Sequence, residues 1–223
     1  IAHLMYREIE ANSGRGKPLV FIVPVGPVFQ YRRFVKLFHE RPIDLSDAHF
    51  FFMDEYLNEN HDFIDKESPL SFRGFVDREL TTPLTELKAL SDTQVYFPNP
   101  REPGRFDEEI AALGGADVCI AGVGINGHLA FNEPPLKQGE MSDEEFMRLP
   151  SRIVRLARET QAMNANTAMG GAYELIPDYA VTVGFRRIME SKKIRLYLNR
   201  PWQAAVARKI LFGERSCTFP ASL

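Results

Sequence analysis

The chain has 223 residues, 44% of them hydrophobic and 26% charged, with a formal net charge of −3. That suffices for one sizeable core in a single domain spanning 1–223, and it excludes a general polyanion binder, so no nucleic-acid partner is expected. No apolar run approaches the roughly 20 residues a membrane helix needs and no signal peptide is visible, so no membrane partner is expected either.

Residues 18–25 (PLVFIVPV) read as a buried strand, followed by a helical pattern over 28–40. Residues 48–53 (AHFFFM) are a second strand, too short and aromatic for a helix. Ser68-Pro69 reads as a helix start, a capping serine followed by a proline in the first turn, and that helix would run to about Leu80. A short strand at 94–97, a helix at 105–113 closed by Gly114-Gly115, and a strand at 116–122 come next. Cys119 lies in that last strand and reads as a buried free thiol; with Cys217 the only other cysteine, a reducing cytoplasm is the expected location. Residues 135–151 are a polar insertion in which Ser142 and Glu145 form a capping box around a short helix, placed where a lid would sit. Strands at 179–183 and 194–198 and a helix at 202–212 stopped by Gly213 complete the chain. This alternation implies an α/β fold, an open, mostly parallel twisted sheet with helices on both faces.

Two segments carry chemistry. The first is GVGINGHLAFNEP, 122–134, which opens where the strand at 116–122 ends. Ligands in open α/β sheets bind at the carboxyl ends of strands. Gly122, Gly124 and Gly127 match a dinucleotide fingerprint by spacing, but NEPP follows where a helix should begin, so the fingerprint's context fails. The glycines read instead as letting backbone approach a ligand closely. His128 has Glu133 five residues on, and a carboxylate that holds an imidazole fixes its tautomer and raises its basicity. Asn126 and Asn132 would orient these groups or bind sugar hydroxyls. The second segment is FFMDEYL, 51–57, where Asp54 and Glu55 follow an aromatic strand. Asp54 either caps a turn or serves as a general base in a partly dry site, which would raise its pKa.

Together MDEY, the GVGINGHLAFNEP run and IPDYAVTVG (176–184) resemble the glucosamine-6-phosphate deaminase/isomerase family, over about 18–223. The related 6-phosphogluconolactonases share the glycine-rich GH segment but lack FNEP. The resemblance implies a Rossmann-like fold and aldose–ketose isomerisation of an amino sugar phosphate with loss of ammonia, without metal or organic cofactor. By motif match Asp54 would move the proton between C2 and C1, His128 would open the pyranose ring, and Glu133 would pair with His128. Asn126 stands where other members have aspartate or asparagine, and the asparagine here would leave His128 less basic. The implied partner is a small-molecule sugar or sugar phosphate, and a homo-oligomer is compatible with the family.

One end of the site departs from the family. The loop resembling PTGGTP, which would cradle the phosphate, is PVGPVFQY here (24–31): Gly26 survives, both threonines are gone, and Pro27 has no N–H to donate. The family's later arginine and lysine fall at Gln161 and Trp202. Arg32, Arg33, Arg152, Arg158 and Arg200 are the cations that would compensate, and Trp202 would stack on a sugar face or fill core. The expected binding set is therefore Gly26, Glu55, Gly124, Gly127, Asn132, Arg152 and Trp202. An inactive sugar-binding or regulatory protein and a lactonase-like hydrolase are the competing readings.

Overall fold

The computed structural model describes residues 1–26, 29–137 and 139–223; Pro27, on which the expected loss of an N–H rests, Val28 and Gln138 lie outside the described residues. In chain order the main elements are α1 (Ala2–Asn12), β1 (Leu19–Val23), α2 (Phe29–Glu40), β2 (Ala48–Phe52), β3 (Asp54–Leu57), α3 (Phe72–Val76), a π turn (Asp77–Thr81), α4 (Thr82–Glu86), β4 (Val95–Tyr96), α5 (Pro103–Ala112), β5 (Val118–Gly122), α6 (Asp143–Met147), β6 (Arg152–Arg155), α7 (Arg158–Ala168), β7 (Tyr179–Thr182), α8 (Phe185–Met189), β8 (Lys193–Tyr197) and α9 (Ala204–Phe212).

Five strands form a parallel sheet in the order β4-β2-β1-β5-β8. Its two faces are both covered, which is why its central strands are apolar without alternation. Phe21, Val23, Phe50 and Phe52 pack with α1, α2 and the helical segment 72–86, while Val20, Ile22, Phe51, Cys119 and Ala121 pack with α5, α8 and α9. Cys119 is free and fully buried. Gly114 and Gly115 close α5 at φ 91° and 85°, a conformation that favours glycine.

The alternation pattern does not foresee the second sheet. β3, β7 and β6 form an antiparallel sheet in that order. The chain passes from one sheet to the other at Met53. Its amide donates to the Val23 carbonyl at the end of β1 (3.0 Å), and its carbonyl accepts from the Val183 amide after β7 (2.7 Å). Asp54 is thus the first residue beyond the seam, and it begins a strand rather than capping a turn.

The predicted helix start at Ser68-Pro69 is corrected by three residues. Ser68 and Pro69 form a separate turn, in which the Ser71 amide donates to the Ser68 carbonyl, and Ser71 is the cap, its hydroxyl accepting from the Gly74 amide (3.0 Å). Helical structure then continues through the π turn to Glu86. The capping box at Ser142 is present as expected. α6 is pinned at both ends of its contact surface: Phe146 packs edge-on against Phe185, and Asp143 accepts from the Cys217 amide (2.6 Å). Among the described residues no helix is long and apolar enough to cross a membrane.

Candidate active site

The loop after β5 folds back on itself. The Gly124 amide donates to the His128 carbonyl (3.0 Å), and a tight turn with Ala130 at φ 53° brings Asn132 back to Leu129. A Cβ on Gly124 would overlap the His128 ring, and one on Gly127 would overlap the Phe219 ring, with Gly127 also at φ 84°. Close approach by protein side chains therefore accounts for glycine at both positions without a ligand.

The His128 imidazole sits among three oxygens. Its Nδ1 lies 2.8 Å from Asn126 Oδ1, 3.2 Å from Thr160 Oγ1 and 3.3 Å from Glu133 Oε2. Asn126 faces both partners unambiguously: its amide donates to Glu133 Oε2 (2.6 Å), so its carbonyl is the group turned to His128. With two acceptors on Nδ1, the proton belongs there and Nε2 is left for chemistry. The other Glu133 oxygen accepts from the Ala157 amide (3.2 Å), just before α7. Burial alone would push the Glu133 carboxyl up. Hydrogen bonds and charge from His128, with hydrogen bonds from Asn126 and Thr160, outweigh it and hold the carboxyl below its ordinary value.

Asp54 differs in kind. It is 7% exposed, and its carboxyl makes no side-chain hydrogen bond among the described residues. Burial, reinforced by the charge of neighbouring Glu55, pushes its pKa up to about 8. The antiparallel register sets Asp54 directly opposite Thr182, and Thr182 directly opposite Arg152. Directly opposed residues share a face of the sheet, so these three form one row, with Asp54 and Arg152 roughly 10 Å apart at their Cα atoms. The His128 loop is tied to that row. Phe131 donates its amide to Thr182 Oγ1 (3.0 Å), and Asn132 donates to the Val183 carbonyl (2.9 Å) and accepts from Arg152 Nη1 (2.8 Å). The seam between the sheets thereby gathers Asp54, the His128–Asn126–Glu133 group and Arg152.

Two expected binding residues are corrected. Glu55 is fully buried on the opposite face, and its oxygens accept from the Tyr56, Phe72 and Arg73 amides and the Ser71 hydroxyl, with Arg73 Nε at 3.4 Å. It anchors the start of α3. Asn132 is also fully buried, and both amide hydrogens are spent on the Leu129 and Val183 carbonyls. It braces the loop rather than offering itself to a hydroxyl. Trp202 packs on the core cluster around Cys217 and Phe219, the alternative weighed for it. Gly26 is exposed, with open space about it.

Among the compensating cations, Arg32 is ion-paired with Glu79, and Arg33, Arg158 and Arg200 are exposed. Arg152 is half-buried, donates only to Asn132 and Pro150 oxygens, and has no carboxylate partner among the described residues. Burial pulls its pKa down to about 10. Gln161 is held by Asp178 and by the Tyr173 hydroxyl, so it is not free for an anion. Sequence reasoning misses Thr160 and Thr182, which carry no motif of their own; Thr182 lies inside the TVG run. No cluster of three or more His, Cys, Asp or Glu among the described residues could hold a metal ion.

No family model matches the chain. A glucosamine-6-phosphate deaminase of Mycoplasma mycoides is 30% identical over 200 residues, covering 88% of this chain and 74% of the relative. The chain belongs to the glucosamine-6-phosphate deaminase family. Another member, from Thermoanaerobacter sp., is 27% identical over 203 residues, covering 88% of this chain and 72% of its own. Among solved structures, a monomeric glucosamine-6-phosphate deaminase described as a missing link of the NagB superfamily superimposes with a TM-score of 0.80 at 23% identity, over 99% of this chain and 85% of that one. A 6-phosphogluconolactonase of Thermotoga maritima shares the fold less closely, with a TM-score of 0.66 at 14% identity over 99% and 87%. The protein is thus an enzyme of the deaminase/isomerase type, built on the α/β fold that both families use.

Proposed function

We propose that this protein converts an amino sugar to a ketose with release of ammonia, and that the end of the sugar remote from C1 and C2 is not bound as the family binds its 6-phosphate. The observation that carries the first part is Asp54: a nearly buried carboxyl with no side-chain hydrogen bond among the described residues, opposite the Thr182 that anchors the His128 loop. His128 Nε2 takes the proton of the C1 hydroxyl and passes it to the ring oxygen as the C1–O5 bond breaks, opening the ring. Asp54 then removes the C2 proton and returns it to C1 through an enediol-type intermediate. Water adds to the resulting C2 imine, and ammonia leaves. Asn126, Glu133 and Thr160 hold the imidazole in the tautomer this sequence needs.

The second part is supported by the turn 24–31. Its threonines are missing, and the positions expected to bear the family's arginine and lysine carry Gln161 and Trp202, both engaged within the protein. A dianion without cations is costly to bind. Arg152 is the one cation on the Asp54 row, and its distance suits a group on the far side of the sugar. Replacing Arg152 with Met is expected to raise KM for an anionic sugar roughly tenfold and to leave a neutral one nearly unchanged.

Incubating free and phosphorylated glucosamine with the protein in deuterated water tests the reading. Exchange at C2 with ammonia release is expected, and Asp54→Asn should abolish both. A protein that only binds sugar would show no exchange, and a lactonase would keep its activity after Asp54→Asn. Strong activity confined to glucosamine 6-phosphate would overturn the remodelled far end.

A further inference from the structure

Pro83 shapes a second cleft, made of none of the residues gathered at the seam. In a regular helix its ring would clash with the Glu79 carbonyl four residues back, and it has no N–H to donate there. The helical segment yields by widening. The Thr82 amide donates to the Asp77 carbonyl, five residues back, and Asp77–Thr81 is a π turn. Residues 78 and 83 would stand roughly 140° apart around an α-helix; a turn that closes on the fifth residue brings them to nearly the same side. Arg78, Glu79 and Pro83 thereby form one wall, and α2, which packs against the π turn, supplies the other. The buried face of α2 is Gln30, Tyr31, Phe34 and Phe38. Arg32, Val35, Lys36 and His39, three or four residues apart, form the neighbouring stripe that lines the cleft.

The cleft holds about 350 Å³, room for a small organic molecule. Glu79 fixes the Arg32 guanidinium: Nη2 donates to Oε1 (2.6 Å), Nε faces Oε2, and the remaining N–H groups are unspent. Arg78 is exposed and has no hydrogen-bond or ion-pair partner among the described residues. Glu40 approaches Lys36 only to 3.8 Å, and both are exposed, so that pair is weak. His39 donates Nδ1 to the Val35 carbonyl (2.9 Å), which leaves Nε2 free. Three permanent cations, Arg32, Lys36 and Arg78, thus line the cleft with a single carboxylate, Glu79. This excess of two positive charges stands out in a chain of net charge −3. It matches one dianion, and arginine forks suit phosphate oxygens.

We propose that the cleft between α2 and the π turn binds a small phosphomonoester. Arg78, Lys36 and the unspent N–H groups of Arg32 hold the phosphate, and Val35 and Pro83 pack against an apolar body. The site is separate from the sugar chemistry and does not depend on it.

Phenyl phosphate is the probe, since it is no amino sugar. Calorimetry would compare it with inorganic phosphate, which lacks the ring, and with benzenesulfonate, which keeps the ring but carries one charge. Phenyl phosphate is expected to bind about tenfold or more tightly than either. Arg78→Met and Lys36→Met should each weaken it about tenfold. Lys17→Met, which removes an exposed cation elsewhere, and Arg152→Met, on the Asp54 row, should leave it unchanged. Equal binding of the three anions, or no binding, overturns the proposal. So does a loss with Lys17→Met, the mark of nonspecific attraction, or with Arg152→Met, which would put the probe in the sugar site. Undiminished binding to both Arg78→Met and Lys36→Met overturns it as well. Should a variant fail to fold, imidazole NMR of the wild-type protein decides: phenyl phosphate should shift the His39 ring signals and not those of His128, and the reverse contradicts the site.

Discussion

Asp54 and Glu55 are neighbours in sequence with opposite fates, because alternation along a strand sends them to opposite faces. Glu55 is spent on the amides that start α3, whereas Asp54 makes no side-chain hydrogen bond among the described residues and has its pKa raised to about 8. A base must be deprotonated, so kcat/KM should rise with pH and level off above a midpoint near 8; a flat profile from pH 6 to 9 would contradict the role. The same shift predicts a stability cost. Folding binds a proton at Asp54 that the unfolded chain releases near its ordinary value of 3.8, so stability falls as pH rises from about 4 to about 8. Asp54→Asn should therefore raise the melting temperature, by on the order of 5 °C at pH 9 and by less at pH 5, while lowering turnover roughly 10²- to 10⁴-fold. Thr160 touches His128 Nδ1 (3.2 Å), and in the proposed mechanism it acts through that imidazole. Thr160→Val should lower kcat roughly 10- to 100-fold with KM little changed, and Thr160→Ser should restore it. As candidates, Asp54, His128 and Glu133 stand out in the sequence because their types and positions at strand ends are chemically conspicuous. Thr160 does not, since a threonine on a helix says nothing of the imidazole it meets 32 residues away.

At the scale of elements, the small antiparallel sheet matters most and was least legible. β3 and β6 read DEYL and RIVR, four residues each with charges in both, so no apolar run announces them. The helix at Phe72 was displaced from its predicted start for a related reason. Two carboxylate oxygens arriving from β3 capture the Ser71 hydroxyl and the Phe72 and Arg73 amides, a tertiary cap that local spacing does not reveal. Glu55→Gln should cost about 2–4 kcal/mol, measured by denaturant unfolding. Gly184 closes the same sheet. A Cβ there would overlap the backbone at 149–151, where the chain enters β6. Gly184→Ala is expected to destabilise by roughly 1–3 kcal/mol and to loosen Arg152 together with Asn132.

Across the whole molecule, the parallel sheet was legible because strands buried on both faces must be apolar throughout, and β1, β2 and β5 are. What the pattern leaves open is the seam, where backbone bonds from Met53 join two sheets and gather side chains from residues 54, 128, 133, 152 and 160. Family membership supports the chemistry proposed at C1 and C2; the departure of the sequence at 24–31 is what sets the proposal for the rest of the sugar apart. The most direct test of the central claim is hydrogen exchange at C2, followed by NMR in deuterated water with glucosamine and its 6-phosphate at pH 8. Deuterium should enter at C2 or C1 with ammonia release, and should fail to enter with Asp54→Asn. A wild-type protein that binds these sugars without exchanging that proton would contradict the account.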